Sequence, residues 1–137
     1  MKTYILDACA IIALLKEESG FEKVAELYED VINDKINLFV NIINLFEVYY
    51  NIFRDYDPNY ADKVLNEIQK LSITIVDKFD DIILKKAAYL KASYKISLAD
   101  SIAVATAIRY KGILVTADHH ELDIVEKNNE AEFLWIR

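Results

Sequence analysis

The sequence predicts an α/β fold in which a parallel sheet is covered by helices on both faces. Five short apolar runs have the composition of buried strands, and segments with apolar residues at helical spacing separate them. This alternation is typical of α/β proteins, whose strands are buried on both sides. With only two glycines and one proline, the chain has little material for the many turns of a β-sandwich.

Length and composition predict a single domain over residues 1–137. A chain of 137 residues with a hydrophobic share of 54% can build a core without disulfides. Its one cysteine, Cys9, cannot form an internal disulfide, so we expect a reducing, cytoplasmic setting. No targeting segment and no apolar run of membrane-spanning length is evident, and we expect no membrane partner.

The first elements follow from apolar runs and their spacing. Residues 3–6 (TYIL) predict a short buried strand, followed by helices at about 9–16 and 20–33. Residues 37–40 (NLFV) form the second predicted strand. The stretch INLFEVYYNIF, residues 43–53, then predicts a helix because its apolar residues recur three and four positions apart.

The middle of the chain predicts two helices around a third strand. Pro58 suits the first turn of a helix that we expect to reach about residue 71. Residues 73–76 (ITIV) form a β-branched run that predicts the strand. The spacing of Phe79, Ile82 and later apolar residues predicts a helix to about residue 90.

The last third of the chain predicts a buried helix and two further strands. Residues 98–110 are apolar on nearly every side, which indicates a helix in the interior, and we expect Gly112 to end it in the left-handed conformation. Residues 113–115 (ILV) and 133–136 (FLWI) predict the fourth and fifth strands, with a short helix at 121–127 between them.

Four acids occur where this fold would bring them to one edge of the sheet. Asp7 follows the first strand, Asp118 follows the fourth, and Asp100 begins the buried helix. Glu47 lies in an otherwise apolar helical stretch after the second strand, with no Lys or Arg three or four positions away. Because ligands of parallel sheets bind outside the carboxyl ends of the strands, we expect these acids to converge there.

Helix capping is the alternative interpretation of three of these acids. Asp7 could cap the helix that follows it. The spacings of Ser97 with Asp100 and of Asp118 with Glu121 are those of capping boxes. Four acids along one edge are more than capping requires, so we favour a shared site.

Carboxylates gathered at one edge suit a hard divalent cation. Mg²⁺ and Mn²⁺ prefer carboxylate and water oxygens, and two such ions about 4 Å apart can promote phosphodiester cleavage. Without cations, the acids would repel one another and their pKa values would rise. The net charge of −7 argues against a broad basic surface for nucleic acid, so cations or a partner must offset the negative charge.

The ordered stretches YILDACAIIALL, INLFEVYYNI, SLADSIAVATA and ILVTADHHEL resemble the PIN-domain nucleases, in particular the prokaryotic toxin-type (VapC-like) ribonucleases. The resemblance implies a PIN-like three-layer α/β/α fold with a central five-stranded parallel sheet. It also implies an endoribonuclease with Asp7, Glu47, Asp100 and Asp118 as catalytic residues and ligands of Mg²⁺ or Mn²⁺. RNA would be the substrate, a small antitoxin protein the partner, and a homodimer the assembly.

Three polar residues are predicted to support these acids. Thr116 would place a hydroxyl near Asp118, Ser97 would cap the buried helix, and Asn44 shares the helical face of Glu47. Many relatives carry Ser or Thr where this chain has Cys9. Because a thiol is a weak hydrogen-bond donor and a poor Mg²⁺ ligand, we expect an effect on rate and metal preference rather than on the class of activity.

The sequence also contains a pair of histidines and a group of aromatic residues, and it is compatible with one other function. The histidines at 119 and 120 could contact substrate or donate a proton, but a polar loop pair is the favoured interpretation. For the aromatic residues around Arg54, core or interface packing is favoured over base stacking; they are Tyr49, Tyr50, Phe53, Tyr56 and Tyr60. The alternative function is a non-catalytic PIN-like module that binds RNA or protein.

Overall fold

A computed structural model describes residues 1–137 and shows a parallel sheet between two layers of helices. The strands are β1 (Lys2–Leu6), β2 (Ile36–Asn41), β3 (Thr74–Val76), β4 (Ile113–Thr116) and β5 (Glu132–Trp135). The helices are α1 (Ala8–Lys16), α2 (Phe21–Ile32), α3 (Ile42–Asp55), α4 (Pro58–Lys70), α5 (Asp81–Ser93), α6 (Leu98–Arg109) and α7 (His119–Lys127). The predicted α/β/α architecture is confirmed, and every predicted element is present.

The strand order is β3-β2-β1-β4-β5, and all neighbouring pairs are parallel. Leu6 at the end of β1 is aligned with Val40 of β2 and Val115 of β4. The chain winds outward from β1 in one direction and then from β4 in the other. The point between β1 and β4 is therefore a topological switch point, where open α/β sheets bind their ligands.

Each face of the sheet carries its own apolar core. Alternation along the strands turns Leu6 and Val115 toward one core and Ile5 and Leu114 toward the other. Helices α1 to α4 supply the first core, and α5 to α7 supply the second. None of the helices combines the length and the apolar character that a bilayer-spanning segment requires.

Helix α6 is buried on nearly every side, as its composition predicts. Its two hydroxyl side chains have partners within the fold. The Thr106 hydroxyl donates to the Ile102 carbonyl oxygen at 2.7 Å and accepts from Asn41 Nδ2 at 3.0 Å. The Ser101 hydroxyl donates to the Leu98 carbonyl oxygen at 2.6 Å. These bonds satisfy the buried hydroxyls and lock α6 against the end of β2.

The end of α6 differs from the sequence prediction. Lys111, not Gly112, adopts the left-handed conformation, with φ of 52°. Gly112 donates its N–H to the Ala107 carbonyl oxygen at 2.8 Å and closes the helix. A Cβ atom on Gly112 would lie 2.2 Å from Ile5 Cδ1 and 2.9 Å from the Thr3 carbonyl oxygen. The glycine is therefore required for close packing against β1 rather than for its φ angle.

Of the aromatic residues around Arg54, only Tyr49 packs against the core. Tyr50, Phe53, Tyr56 and Tyr60 are all exposed, so the core interpretation was wrong for them. Each contacts a neighbouring ring instead: Tyr56 pairs with Tyr60 at 5.1 Å between centroids, Tyr50 with Phe46 at 5.7 Å and Phe53 with Tyr49 at 6.1 Å. Phe79 and Ile82 are also exposed, because α5 begins at Asp81 and turns Ile83 inward.

Gly20 provides a direct test of how the C-terminal residues pack. It has φ of +91°, and a Cβ atom there would lie 2.1 Å from the carbonyl oxygen of buried Ile136. We expect Gly20→Ala to lower the free energy of unfolding by about 1–3 kcal/mol, measured by urea denaturation. Lys111→Gly, which relieves a positive φ angle, should leave stability unchanged or raise it. Equal stability of Gly20→Ala and wild type would contradict this packing.

Candidate active site

Three carboxylates meet at the carboxyl end of β4. Oxygen atoms of Asp100, Asp118 and Glu121 lie within 4.8 Å of one another. Asp100 projects from the first turn of α6, while Asp118 and Glu121 come from the cap and first turn of α7. Two helix N-termini thus bring three acids together, and their exposed amides partly offset the negative charge.

Asp7 is a buried acid immediately after β1. It is 1% exposed, and its Oδ1 accepts the Ala10 N–H at 2.8 Å, so it caps α1. Its Oδ2 is buried and has no hydrogen-bond partner. Burial raises the pKa of Asp7 from 3.8 to about 7; the Thr116 hydroxyl and the Ala10 amide partly oppose this, and Asp118 and Glu47 add to it. Capping therefore accounts for only one of its two oxygens.

Glu47 faces the same acids from α3. Partial burial raises the pKa of Glu47, and the charges of Glu121 and Asp118 raise it further, whereas the Asn44 amide lowers it. Asn44 is fully buried and donates through Nδ2 to the Ala99 carbonyl oxygen at 3.2 Å. Asn44 thus ties α3 to the start of α6, and through this contact it sets where Glu47 stands relative to Asp100.

Ser97 caps α6 in part as predicted. Its Oγ accepts the Asp100 N–H at 3.1 Å. In a complete capping box, the Asp100 carboxylate would accept the Ser97 N–H in return. Here that N–H donates to Glu121 Oε2 at 3.1 Å instead. The Asp100 carboxylate is left free of a capping role, and its Oδ2 is buried without a partner.

Glu121 is the acid that sequence reasoning did not place in the site. Its spacing from Asp118 indicated a capping box, yet the Asp118 N–H bonds to Thr116 Oγ1 at 3.1 Å rather than to Glu121. Burial raises the pKa of Asp100 strongly, and its contacts with Glu121 and Asp118 favour the protonated form further. The sequence did contain a signal for this residue, because Glu121 lies about one helical turn after Asp118, which was already a predicted ligand.

Cys9 lies at the edge of this group and is half-buried. Burial and the neighbouring Asp7 charge raise the pKa of the Cys9 thiol to about 11, so it is a neutral thiol near pH 7. A neutral thiol is not a ligand for a hard cation. Cys9 is therefore not among the residues that could hold such an ion.

His119 uses both of its ring nitrogens within the fold. Nδ1 lies 2.7 Å from Asp123 Oδ1, and Nε2 lies 2.8 Å from the Arg137 carbonyl oxygen. Both partners are acceptors, and they raise the pKa of His119. With both nitrogens occupied, His119 cannot donate a proton to a leaving oxygen in this conformation. His120 is exposed; the contact with Asp100 and the Ser97 N–H lower the pKa of Glu121, and His120 adds to this.

No ion pair includes any of the five acids that face this edge, which are Asp7, Glu47, Asp100, Asp118 and Glu121. Two of their oxygens, Asp7 Oδ2 and Asp100 Oδ2, are buried without partners. Such an arrangement is costly unless a cation compensates it. An all-carboxylate set fits a hard divalent ion such as Mg²⁺ or Mn²⁺, which accepts oxygen ligands and retains water.

The model of the PIN domain family matches residues 4–128. Since this match covers most of the sequence, the chain belongs to the PIN domain family, whose members are generally nucleases. No curated protein matches the chain by sequence. The α/β/α fold and the acidic edge of the sheet agree with the resemblance noted from the four sequence stretches.

Solved toxin–antitoxin structures have the same fold. The chain is similar to VapBC-1 from nontypeable Haemophilus influenzae, with 16% identity, a TM-score of 0.71 and 98% of each chain covered. DNA-bound VapBC from Salmonella typhimurium gives 14% identity and a TM-score of 0.73 over 100% of each chain. A toxin–antitoxin complex from Klebsiella pneumoniae gives 16% identity and a TM-score of 0.70, with 98% of each chain covered. At these identities the similarity is one of fold.

The raised pKa of Asp7 predicts how stability depends on pH without metal. The folded chain binds this proton more tightly than the unfolded chain, so the free energy of unfolding falls as pH rises from about 4 to about 7. In EDTA we expect a higher Tm at pH 5.5 than at pH 8. Adding Mn²⁺ at pH 8 should raise the Tm by mass action.

An Asp7→Asn variant is the control for this pH dependence, because the raised pKa of His119 acts in the same direction. The variant should lose the part of the slope that lies below about pH 7, and the remainder would belong to Asp100 and His119, whose pKa values are also raised. A metal-free wild-type Tm that rises over this range would contradict the repulsive acidic site.

Proposed function

We propose that this chain is a metal-dependent endoribonuclease that hydrolyses RNA phosphodiester bonds at a carboxylate cluster. The cluster consists of Asp7, Glu47, Asp100, Asp118 and Glu121. The observation that carries the proposal is the pair of buried, unpartnered oxygens on Asp7 and Asp100, facing three further acids without a cation. Membership of the PIN domain family supports this activity.

Asp7 follows β1 and Asp118 follows β4, so these two acids would hold the cation from either side of the topological switch point. Asp7 Oδ1 stays engaged with the Ala10 amide, which leaves Oδ2 for a cation. Thr116 Oγ1 accepts the Asp118 N–H and so fixes the backbone from which the Asp118 carboxylate extends. When bound, Mg²⁺ or Mn²⁺ supplies Lewis acidity for attack by water and for charge on the leaving oxygen. The acids orient the ion and lose their protons as it binds.

A protein antitoxin belongs to the same proposal. Helix α3 exposes an apolar strip beside the site, made of Ile42, Ile43, Phe46, Tyr50 and Phe53. Phe46 is 60% exposed and directly precedes Glu47, so a partner that covered it would also cover the acids. Next to it, α3 and α4 enclose a groove of about 250 Å³. This surface suits an apolar segment of a partner protein, and solved structures with this fold include toxin–antitoxin complexes.

A homodimer and a cytoplasmic location complete the proposal. Exposed aromatic residues on α3 and α4 supply apolar area for a second copy, including Tyr56 and Tyr60. The reduced Cys9 suits the compartment in which RNA is made and turned over.

The activity test is cleavage of a mixed single-stranded RNA pool by purified protein with Mg²⁺, with Mn²⁺ and with EDTA. We expect metal-dependent cutting that falls at least about 100-fold in Asp100→Asn and in Glu121→Gln, because each removes a charged oxygen ligand. Asp81→Asn is the matched control, since Asp81 is an exposed acid in the first turn of α5. It should cut at the wild-type rate.

Circular dichroism must show that each variant is folded. Undiminished cutting by folded Asp100→Asn would contradict the assignment of Asp100. A wild-type protein that neither cuts RNA nor binds Mn²⁺ would instead be a non-catalytic PIN-like module that binds RNA or protein.

A further inference from the structure

Three aromatic rings are stacked with nearly parallel planes, and one of them belongs to His119, which directly follows Asp118. The rings of Phe133 and Trp135 are 5.3 Å apart between centroids, with 6° between their planes. Trp135 and His119 are 3.8 Å apart, with 14° between planes. Phe133 and Trp135 share one face of edge strand β5, because residues two apart on a strand point the same way. His119 directly follows Asp118 and forms the outer ring.

Hydrogen bonds hold the stack in one orientation. Trp135 Nε1 donates to Glu126 Oε2 at 2.9 Å. Nδ1 of His119 bonds to the Asp123 carboxylate, and Nε2 bonds to the Arg137 carbonyl oxygen. These two bonds fix the plane of the His119 ring. Both ring nitrogens have partners, and one face of the ring lies against Trp135. The nitrogen edge of His119 is therefore occupied, and its outer face remains for a ligand.

The exposure of His119 shows that this outer face is open. Its side chain is 47% exposed, although Trp135 covers one face and both nitrogens are bonded. The exposed area must therefore lie on the opposite face and the carbon edge. A flat aromatic ring held in a fixed plane is the kind of surface on which unpaired bases of single-stranded RNA stack.

Stacking also answers a difficulty that charge creates for this protein. The chain carries a net charge of −7, and the acids at the site repel phosphate groups. A stacked base contributes affinity without requiring a basic groove along the backbone.

We propose that the outer face of His119 is a base-stacking subsite for a nucleobase that flanks the scissile phosphate of single-stranded RNA. This inference rests on the proposed ribonuclease function and adds to it a residue that positions the substrate. Asp118 and His119 are consecutive, with Cα atoms about 3.8 Å apart, so a base on the ring would hold its own phosphate near the acids. Since every base has a π-face, the subsite requires a base without selecting its identity.

Steady-state cleavage of a short single-stranded RNA with Mn²⁺ tests the subsite through His119→Ala and His119→Phe. Loss of the ring should raise KM by about 5- to 150-fold with kcat nearly unchanged. His119→Phe keeps a flat ring but loses both hydrogen bonds, and we expect it to restore most of the binding. Tyr89→Ala is the matched control, because Tyr89 is an exposed aromatic ring on α5 away from the acids, and it should leave KM unchanged.

An abasic scan of the same RNA identifies the partner base. In the wild type, removal of one base next to the cut should raise KM as much as His119→Ala does. With His119→Ala, that removal should have little further effect, because the two changes remove one contact. Equal loss in His119→Ala and His119→Phe, additive effects, or no sensitive position in the scan would overturn the subsite.

The subsite and the nuclease can fail separately. Metal-dependent cutting with a KM indifferent to His119→Ala and to base removal overturns the subsite and leaves the nuclease intact. If the wild type does not cut, fluorescence anisotropy with the same oligonucleotides replaces KM with Kd. A base-dependent loss of affinity in His119→Ala would then support the subsite while the nuclease proposal fails.

Discussion

The crowding of like charges at the switch point of the sheet is the constraint on which the rest of the site depends. The parallel register of β1, β2 and β4 ends these strands at one edge, where the chain turns into α1, α3 and α7. Asp7 and Asp100 are buried there with unpartnered oxygens and without an ion pair. A fold stabilised by two apolar cores tolerates this cost at one edge, and the cost becomes binding energy when a cation arrives.

Helix capping and the acidic site are not alternatives in this molecule. Asp7 uses one oxygen for the α1 cap and keeps the other free. Ser97 and Glu121 together supply the capping contacts of α6, so the Asp100 carboxylate is not needed for them. The same local chemistry that begins each helix thus aims the remaining oxygens at a common point.

The fold and four of the five clustered acids could be predicted from sequence because both follow from local patterns. Apolar periodicity determines the elements, and parallel topology brings strand ends to one edge. Glu121 was missed because its spacing from Asp118 matches a capping box. Only the folded structure shows that its carboxylate accepts the Ser97 N–H. The orientation of His119 depends on Trp135 and Arg137, which come from β5 and the residues after it. Such contacts leave no periodic trace in a sequence.

Isothermal titration calorimetry of Mn²⁺ at pH 7, in two buffers with different ionisation enthalpies, tests the central claim most directly. Because Asp7 and Asp100 have raised pKa values in the metal-free chain, binding should release on the order of one proton per ion. The apparent binding enthalpy should then differ between the buffers, and Asp100→Asn should bind more weakly. Absence of Mn²⁺ binding, or binding with the same enthalpy in both buffers, would contradict a site built from buried, protonated carboxylates.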